Sequence, residues 1–223
     1  MKTARIRNGA QPAKVPVARP EPELGDIRFR KLIPAEHWNL LPAEVRQRFS
    51  KRLTGGATAI YVGEVKEVRI SILGRILANL LRVIGAPLPL SEDVNVPTVV
   101  TVTEDVKTGG QVWSRTYCNR RGFPQVIHSA KQFAGPTGLQ EHIGCGVSMA
   151  LEIGAGAQGL VFRSHSFRVR KGPFTLQLPR FLTPGDVTVS HLARDGRTFE
   201  FSLDVRHPVF GEMIHQSAVY HDQ

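Results

Sequence analysis

From Val96 to the end of the chain, apolar residues recur at every second position, and no stretch of helical period interrupts them. That pattern rules out parallel βαβ construction, because parallel neighbours need crossovers of a dozen or more residues, usually helical. The fold it predicts is mainly β with minor α: a curved antiparallel sheet, or a partly closed β-barrel, of nine to ten strands.

The strands can be followed one by one. Val96, Val100 and Val102 alternate with Thr101 and Thr103, and Asp105 to Gly110 supplies a turn. Gln111 to Cys118 then returns with Trp113, Arg115 and Tyr117 on one face, which makes a hairpin. Pro124 to Phe133 is a further strand. Leu139, Ile143, Cys145, Val147, Met149, Leu151 and Ile153 share one face of what reads as a single strand of about 15 residues, roughly 50 Å if straight. A strand that long must bend, and its opposite face is small or polar: Gln140, His142, Gly144, Gly146, Ser148, Ala150, Glu152. Leu160 to Arg170, Phe174 to Leu178 and Asp186 to Leu192 follow as strands. Arg194-Asp195-Gly196-Arg197 is a tight-hairpin signal that delivers Phe199, Phe201, Leu203 and Val205 on one face. Met213 to Tyr220 closes the series.

Helical period appears only before residue 90. Leu41 to Phe49, with proline in its first turn, is a short helix. Ala57 to Val68 is a first strand with an irregularity at Gly63. Ile70, Leu73, Ile76, Leu77, Leu80, Leu81 and Ile84 then fall at spacings of three and four, opposite Arg75, Asn79 and Arg82. This amphipathic helix, 70–84, is expected to cover the sheet's concavity with its Leu/Ile face, or else to lie against lipid. Gly85, Pro87 and Pro89 stop it.

Residues 1–31 carry eight Lys/Arg against three Asp/Glu and lack apolar periodicity. They are expected to form a disordered basic tail ahead of a single domain, 32–223. The net charge is +10, but the remainder of the chain has no basic stripe interleaved with aromatics, and aromatics make up only 7%. A specific nucleic-acid surface is therefore not expected. Two cysteines are too few for a disulfide framework, and the first 25 residues have no apolar core such as a signal peptide needs. With no run of about 20 apolar residues, at most peripheral membrane contact is expected, and a cytoplasmic location.

No catalytic or metal motif survives its structural context, and no cofactor is expected. Gly154-Ala155-Gly156-Ala157-Gln158-Gly159 has GxGxxG spacing, but a strand follows it where a dinucleotide site requires a helix N-terminus. It reads as a hairpin loop. His142 and Cys145 point to opposite faces of one strand and cannot share an ion without a bulge between them. Cys145, among Ile, Val, Met and Leu, reads as core. His207 reads as a satisfied histidine near a sheet end or, alternatively, as part of a pocket. Glu141 is the one carboxylate on the apolar face. It either reaches a sheet edge or is buried as a polar anchor for a ligand.

Several blocks carry a resemblance: His37-Trp38-Asn39-Leu40-Leu41-Pro42, Leu90 to Pro97, Val112 to Tyr117, Phe174 to Pro184 and Phe199 to Gly211. In this order they resemble a bacterial domain family of unknown function whose members occur alone or fused behind a saccharopine-dehydrogenase-like reductase domain. The resemblance spans roughly residues 35 to 222 and implies a shared fold and an association with redox enzymes. It brings no active residues.

The expectation for function is non-enzymatic binding of a hydrophobic or lipid-like small molecule in the concavity. His142, Gly144, Gly146 and Ser148 from the small-residue face, with Leu73, Leu77 and Leu80 from the helix, are the candidate ligand contacts. The alternative is an accessory module for a saccharopine-dehydrogenase-like reductase partner. An enzyme using His142 and Glu152 ranks third.

Overall fold

The computed structural model describes residues 23–85, 87–195 and 197–222. Ten antiparallel strands close into a barrel. In chain order, β1 (Glu23–Leu24) and β2 (Lys51–Arg52) form a separate ribbon, and between them lie three short helices, α1 (Arg28–Lys31), α2 (Ala35–Leu40) and α3 (Ala43–Phe49). β3 (Ala59–Ile70) leads into α4 (Ile72–Leu80), which continues as a 3-10 turn over Leu81–Ile84. The remaining strands are β4 (Pro97–Asp105), β5 (Gly110–Tyr117), β6 (Gln125–Gln132), β7 (Gln140–Gly144), β8 (Val147–Gly156), β9 (Gly159–Lys171), β10 (Phe174–Gln177), β11 (Asp186–Ala193), β12 (Thr198–His207) and β13 (Gly211–Asp222). Going round the barrel the order is β9, β11, β12, β13, β3, β4, β5, β6, β7, β8 and back to β9. β10 continues the edge of β9 beyond the stretch that β11 occupies. Closure removes the sheet edges of the ten barrel strands, and β10 is left paired on one side only.

The alternation along Val96–Tyr117 and Phe199–Val205 is observed as predicted, with Trp113, Arg115, Tyr117, Phe199 and Val205 buried. β11 and β12 pair antiparallel, with Ala193 opposite Phe199, as the predicted hairpin requires. The GxGxxG segment is a hairpin loop, with Gly156 paired to Gly159. The irregularity in the first strand lies at Lys66, the extra residue between Val65 and Glu67 where β3 pairs with β13, rather than at Gly63.

Three expectations are corrected. Leu139 to Ile153 is a hairpin, not one long strand: β7 and β8 pair antiparallel, Glu141 opposite Met149 and His142 opposite Ser148. Cys145 and Gly146 occupy the two turn positions with φ of 46° and 79°, the signature of a type I′ turn. Cys145 is therefore exposed at a loop tip rather than in the core.

The second correction concerns the helix. Ile70 still belongs to β3, and Ser71 caps α4 by accepting a hydrogen bond from the Gly74 N–H at 3.0 Å. The buried side of α4 is Gly74 and Ala78, with Ile70, Leu77 and Leu81 packed on the core. Ile72, Leu73, Ile76, Leu80 and, beyond the helix, Val83 face solvent. Close approach decides this. A Cβ on Gly74 would stand 2.0 Å from the Met213 carbonyl oxygen, so only a residue without one lets the helix settle on β13.

The third concerns the N-terminal boundary. Residues 23–31, assigned to the tail from sequence, form β1 and α1, and Phe29 is buried against Phe49, Phe133 and Phe162. Residues 1–22 of the expected tail lie outside the described residues.

Candidate functional site

Among the described residues, a larger and a smaller cavity lie in the barrel interior, one toward each end. α1, α3 and the β2 region cover one end, where Phe29, Arg48, Phe49, Lys51 and Leu53 join barrel residues around the smaller cavity. Leu81 and the Pro87-Leu88-Pro89 segment, together with Pro184, lie at the other end over the larger one.

The larger cavity has mostly apolar walls. Ile127, Ile143, Met149, Phe167, Val189 and Leu203 contribute from six neighbouring strands of the barrel, β6, β7, β8, β9, β11 and β12. The space between lining atoms, open mouth included, is about 810 Å³, and the part open to the centre of a water molecule is about 80 Å³. One water needs roughly 10–15 Å³ by that measure, so the cavity holds several waters or the body of a small ligand.

Its polar wall is a buried charge cluster. Arg115 and Glu141 line the cavity, and Lys131 stands behind them; their exposures are 8%, 4% and 2%. Lys131 Nζ lies 3.0 Å from Glu141 Oε2, and Arg115 Nη2 is 3.7 Å from Oε1, while Arg115 Nη1 donates to Ser129 Oγ at 3.2 Å. The strand period puts these residues together: Arg115 follows Trp113 on the inner face of β5, Ser129 and Lys131 follow Ile127 on β6, and Glu141 pairs with Lys131 across β6 and β7. Aromatic faces complete the setting. Lys131 Nζ sits 4.7 Å from the Trp113 ring centroid, and the Arg115 guanidinium 5.6 Å from that of Phe201.

Burial would raise the Glu141 pKa, but Lys131 and Arg115 outweigh it and hold the carboxyl down to about 2. Burial pushes Lys131 down, and Glu141 opposes it. The cluster thus carries two cations against one carboxylate, leaving an unbalanced positive charge beside an apolar cavity. Both sequence readings of Glu141 left out its ion-pair partners. It is buried, as an anchor would be, and it is held by Lys131, which the sequence reading had not singled out.

None of the seven sequence-predicted contacts lines this cavity. His142 and Ser148 face outward, opposite Glu141 and Met149, and the His142 ring bonds Gln132 Oε1 at 2.7 Å. Gly144 and Gly146 belong to the β7–β8 turn. Leu73 and Leu80 are exposed, and Leu77 packs on the core. The helix contributes Leu81 instead. His207 is satisfied locally: its Nδ1 accepts from the Val209 N–H at 3.2 Å, and its ring stacks on Phe210.

In the smaller cavity His191, at 3% exposure, stacks on Phe199 at 4.4 Å. Burial, aided by Arg48, pushes its pKa down to about 3, so the ring is neutral at physiological pH. Its position was legible, since Val187, Val189 and His191 share one strand face.

No helix among the described residues is long and apolar enough to cross a membrane. No curated protein and no solved structure matches the chain. The profile of one family, described as a domain of unknown function (DUF4166), matches residues 41–219, which is nearly the whole barrel. The chain therefore belongs to the DUF4166 family of domains of unknown function.

Proposed function

We propose that this domain binds a hydrophobic, lipid-like small molecule inside the barrel, with the apolar body against Ile127, Met149, Phe167 and Leu203 and a polar or anionic head toward Arg115. The observation that carries this reading is the apolar cavity with a buried, net-positive cluster in its wall. A filled barrel core has no use for a second cation beside Glu141, because each buried charge costs several kcal/mol unless it is matched. An anionic head group would supply the missing charge and accept the Arg115 N–H groups that Ser129 leaves available. Native mass spectrometry of protein purified from its own host tests it: a retained small molecule of carboxylate or related amphiphilic class is expected. Protein that carries none, and takes none up from a mixture of medium-chain amphiphiles, refutes the reading.

A second reading rests on α4. Its outward face and the 3-10 turn that follows it, with Ile72 81% and Val83 83% exposed, leave a row of apolar side chains in water. That favours docking against another protein, for which a saccharopine-dehydrogenase-like reductase is the partner suggested by the sequence resemblance. Co-purification with such a reductase, abolished by Ile76→Glu, is the corresponding test.

A further inference from the structure

We propose that the smaller cavity is a separate binding site for a short carboxylate, of acetate or propionate size, held by the Arg48 guanidinium and the Lys51 ammonium. Arg48 is 7% exposed, and its Nε donates to Asp222 Oδ2 at 2.7 Å. Its Nη1 and Nη2 are buried and have no hydrogen-bond partner among the described residues. A buried guanidinium with two idle donors is costly, and its planar fork matches the two oxygens of a carboxylate. The Arg48 plane lies over the Phe199 ring at 4.2 Å, which fixes the direction of the fork.

Other features of the pocket agree. His191 Nδ1, on the same cavity, is also buried and unpartnered among the described residues. Lys51 lines the cavity, with its Nζ 5.3 Å from the Tyr61 ring centroid. Asp222 neutralises one of the two cations, so the pocket has one positive charge to spare, which suits a monoanion better than a phosphate dianion. The unpartnered Asp222 Oδ1 also disfavours a larger anionic charge nearby. Size points the same way: about 30 Å³ is open to the centre of a water molecule, room for roughly two to three waters. The flanking faces of Phe49, Tyr61, Trp113 and Phe199 leave space for a methyl or ethyl group.

The test is isothermal titration of the full chain with sodium acetate and sodium propionate, with sodium chloride and sodium sulfate as controls at matched ionic strength. Thermal unfolding in the same salts gives a second readout, since a ligand of the folded state raises Tm in a saturable way. Saturable acetate binding, weakened at least about tenfold in Lys51→Gln and in Arg48→Gln but unchanged in Arg115→Gln, is expected. Lys51 is only partly buried, so Lys51→Gln keeps the test valid if Arg48→Gln fails to fold. Acetate no better than chloride, sulfate better than acetate, or a loss that follows Arg115→Gln instead of Lys51→Gln overturns the proposal. Because Arg115 belongs to the larger cavity, these outcomes are separable from failure of the lipid-like ligand reading.

Discussion

Replacing Glu141 with glutamine should be among the most damaging isosteric changes in this protein. Among the described residues Glu141 is the only carboxylate within reach of two buried cations, Lys131 at 3.0 Å and Arg115 at 3.7 Å. Glu141→Gln leaves both charges buried without a counter-charge, and removing one partner of such a pair costs about 3–5 kcal/mol. For a domain of this size that corresponds to a fall in Tm of roughly 6–20 °C. Lys131→Met should cost less, because Glu141 keeps Arg115. The double variant should be more stable than Glu141→Gln alone, since the remaining charge on Arg115 still bonds Ser129. Urea unfolding of the wild type, both single variants and the double variant gives the coupling energy directly. The pH dependence provides an independent check. The folded pKa of Glu141, about 2, lies below its ordinary value of 4.5, so its stabilisation is complete above about pH 4.5 and is lost as pH falls toward 2. That contribution is roughly 3 kcal/mol, and Glu141→Gln should remove it from the acid limb of the stability curve. Single variants that each cost under about 1 kcal/mol and add without coupling would refute the reasoning.

Three further outcomes follow from other parts of the barrel. His191 has a folded pKa of about 3 against an ordinary 6.5, so its contribution is present above pH 6.5 and is lost as pH falls. Between about pH 6 and 4 this one group should lower stability by about 1.4 kcal/mol per pH unit, a slope absent from His191→Phe in urea titrations at each pH. Gly74→Ala should destabilise by about 1–3 kcal/mol in chemical unfolding, although alanine is the better helix former, because its Cβ would meet the Met213 carbonyl oxygen at 2.0 Å. At the β7–β8 turn, Cys145→Asn should raise stability by about 0.5–1 kcal/mol, since Asn tolerates the positive φ. Gly146→Ala should lower it, with its Cβ 2.2 Å from the Arg170 carbonyl oxygen; differential scanning calorimetry of both variants checks the pair.

The antiparallel architecture was legible because alternation and turn residues agree along nearly every strand. The β7–β8 hairpin was hidden by arithmetic. Gly144 pairs with Val147 at the turn, but the bulge at Ile143 shifts the register, so that the pairs beyond it, such as 141 with 149, sum to an even number and odd residues face inward on both arms. Gly144-Cys145-Gly146 was the signal, and it was read as curvature. On α4 the apolar residues cover much of the circumference, and their size suggested the buried face. Gly74 and Ala78 won because small residues let backbone approach backbone, which bulky side chains prevent. The polar interior was half visible. Arg115 and Glu141 stood out on apolar faces, whereas nothing in the sequence singled out Lys131 and Arg48, which strand pairing and helix packing bring inside.

The central claim is that the larger cavity binds an amphiphile headed by Arg115. Isothermal titration with octanoate and octanol, on the wild type and on Arg115→Gln, tests it most directly. The account predicts saturable one-to-one binding, octanoate tighter than octanol, and loss of that preference in the variant. No saturable heat with either compound, or a preference for octanoate that survives in Arg115→Gln, would contradict it.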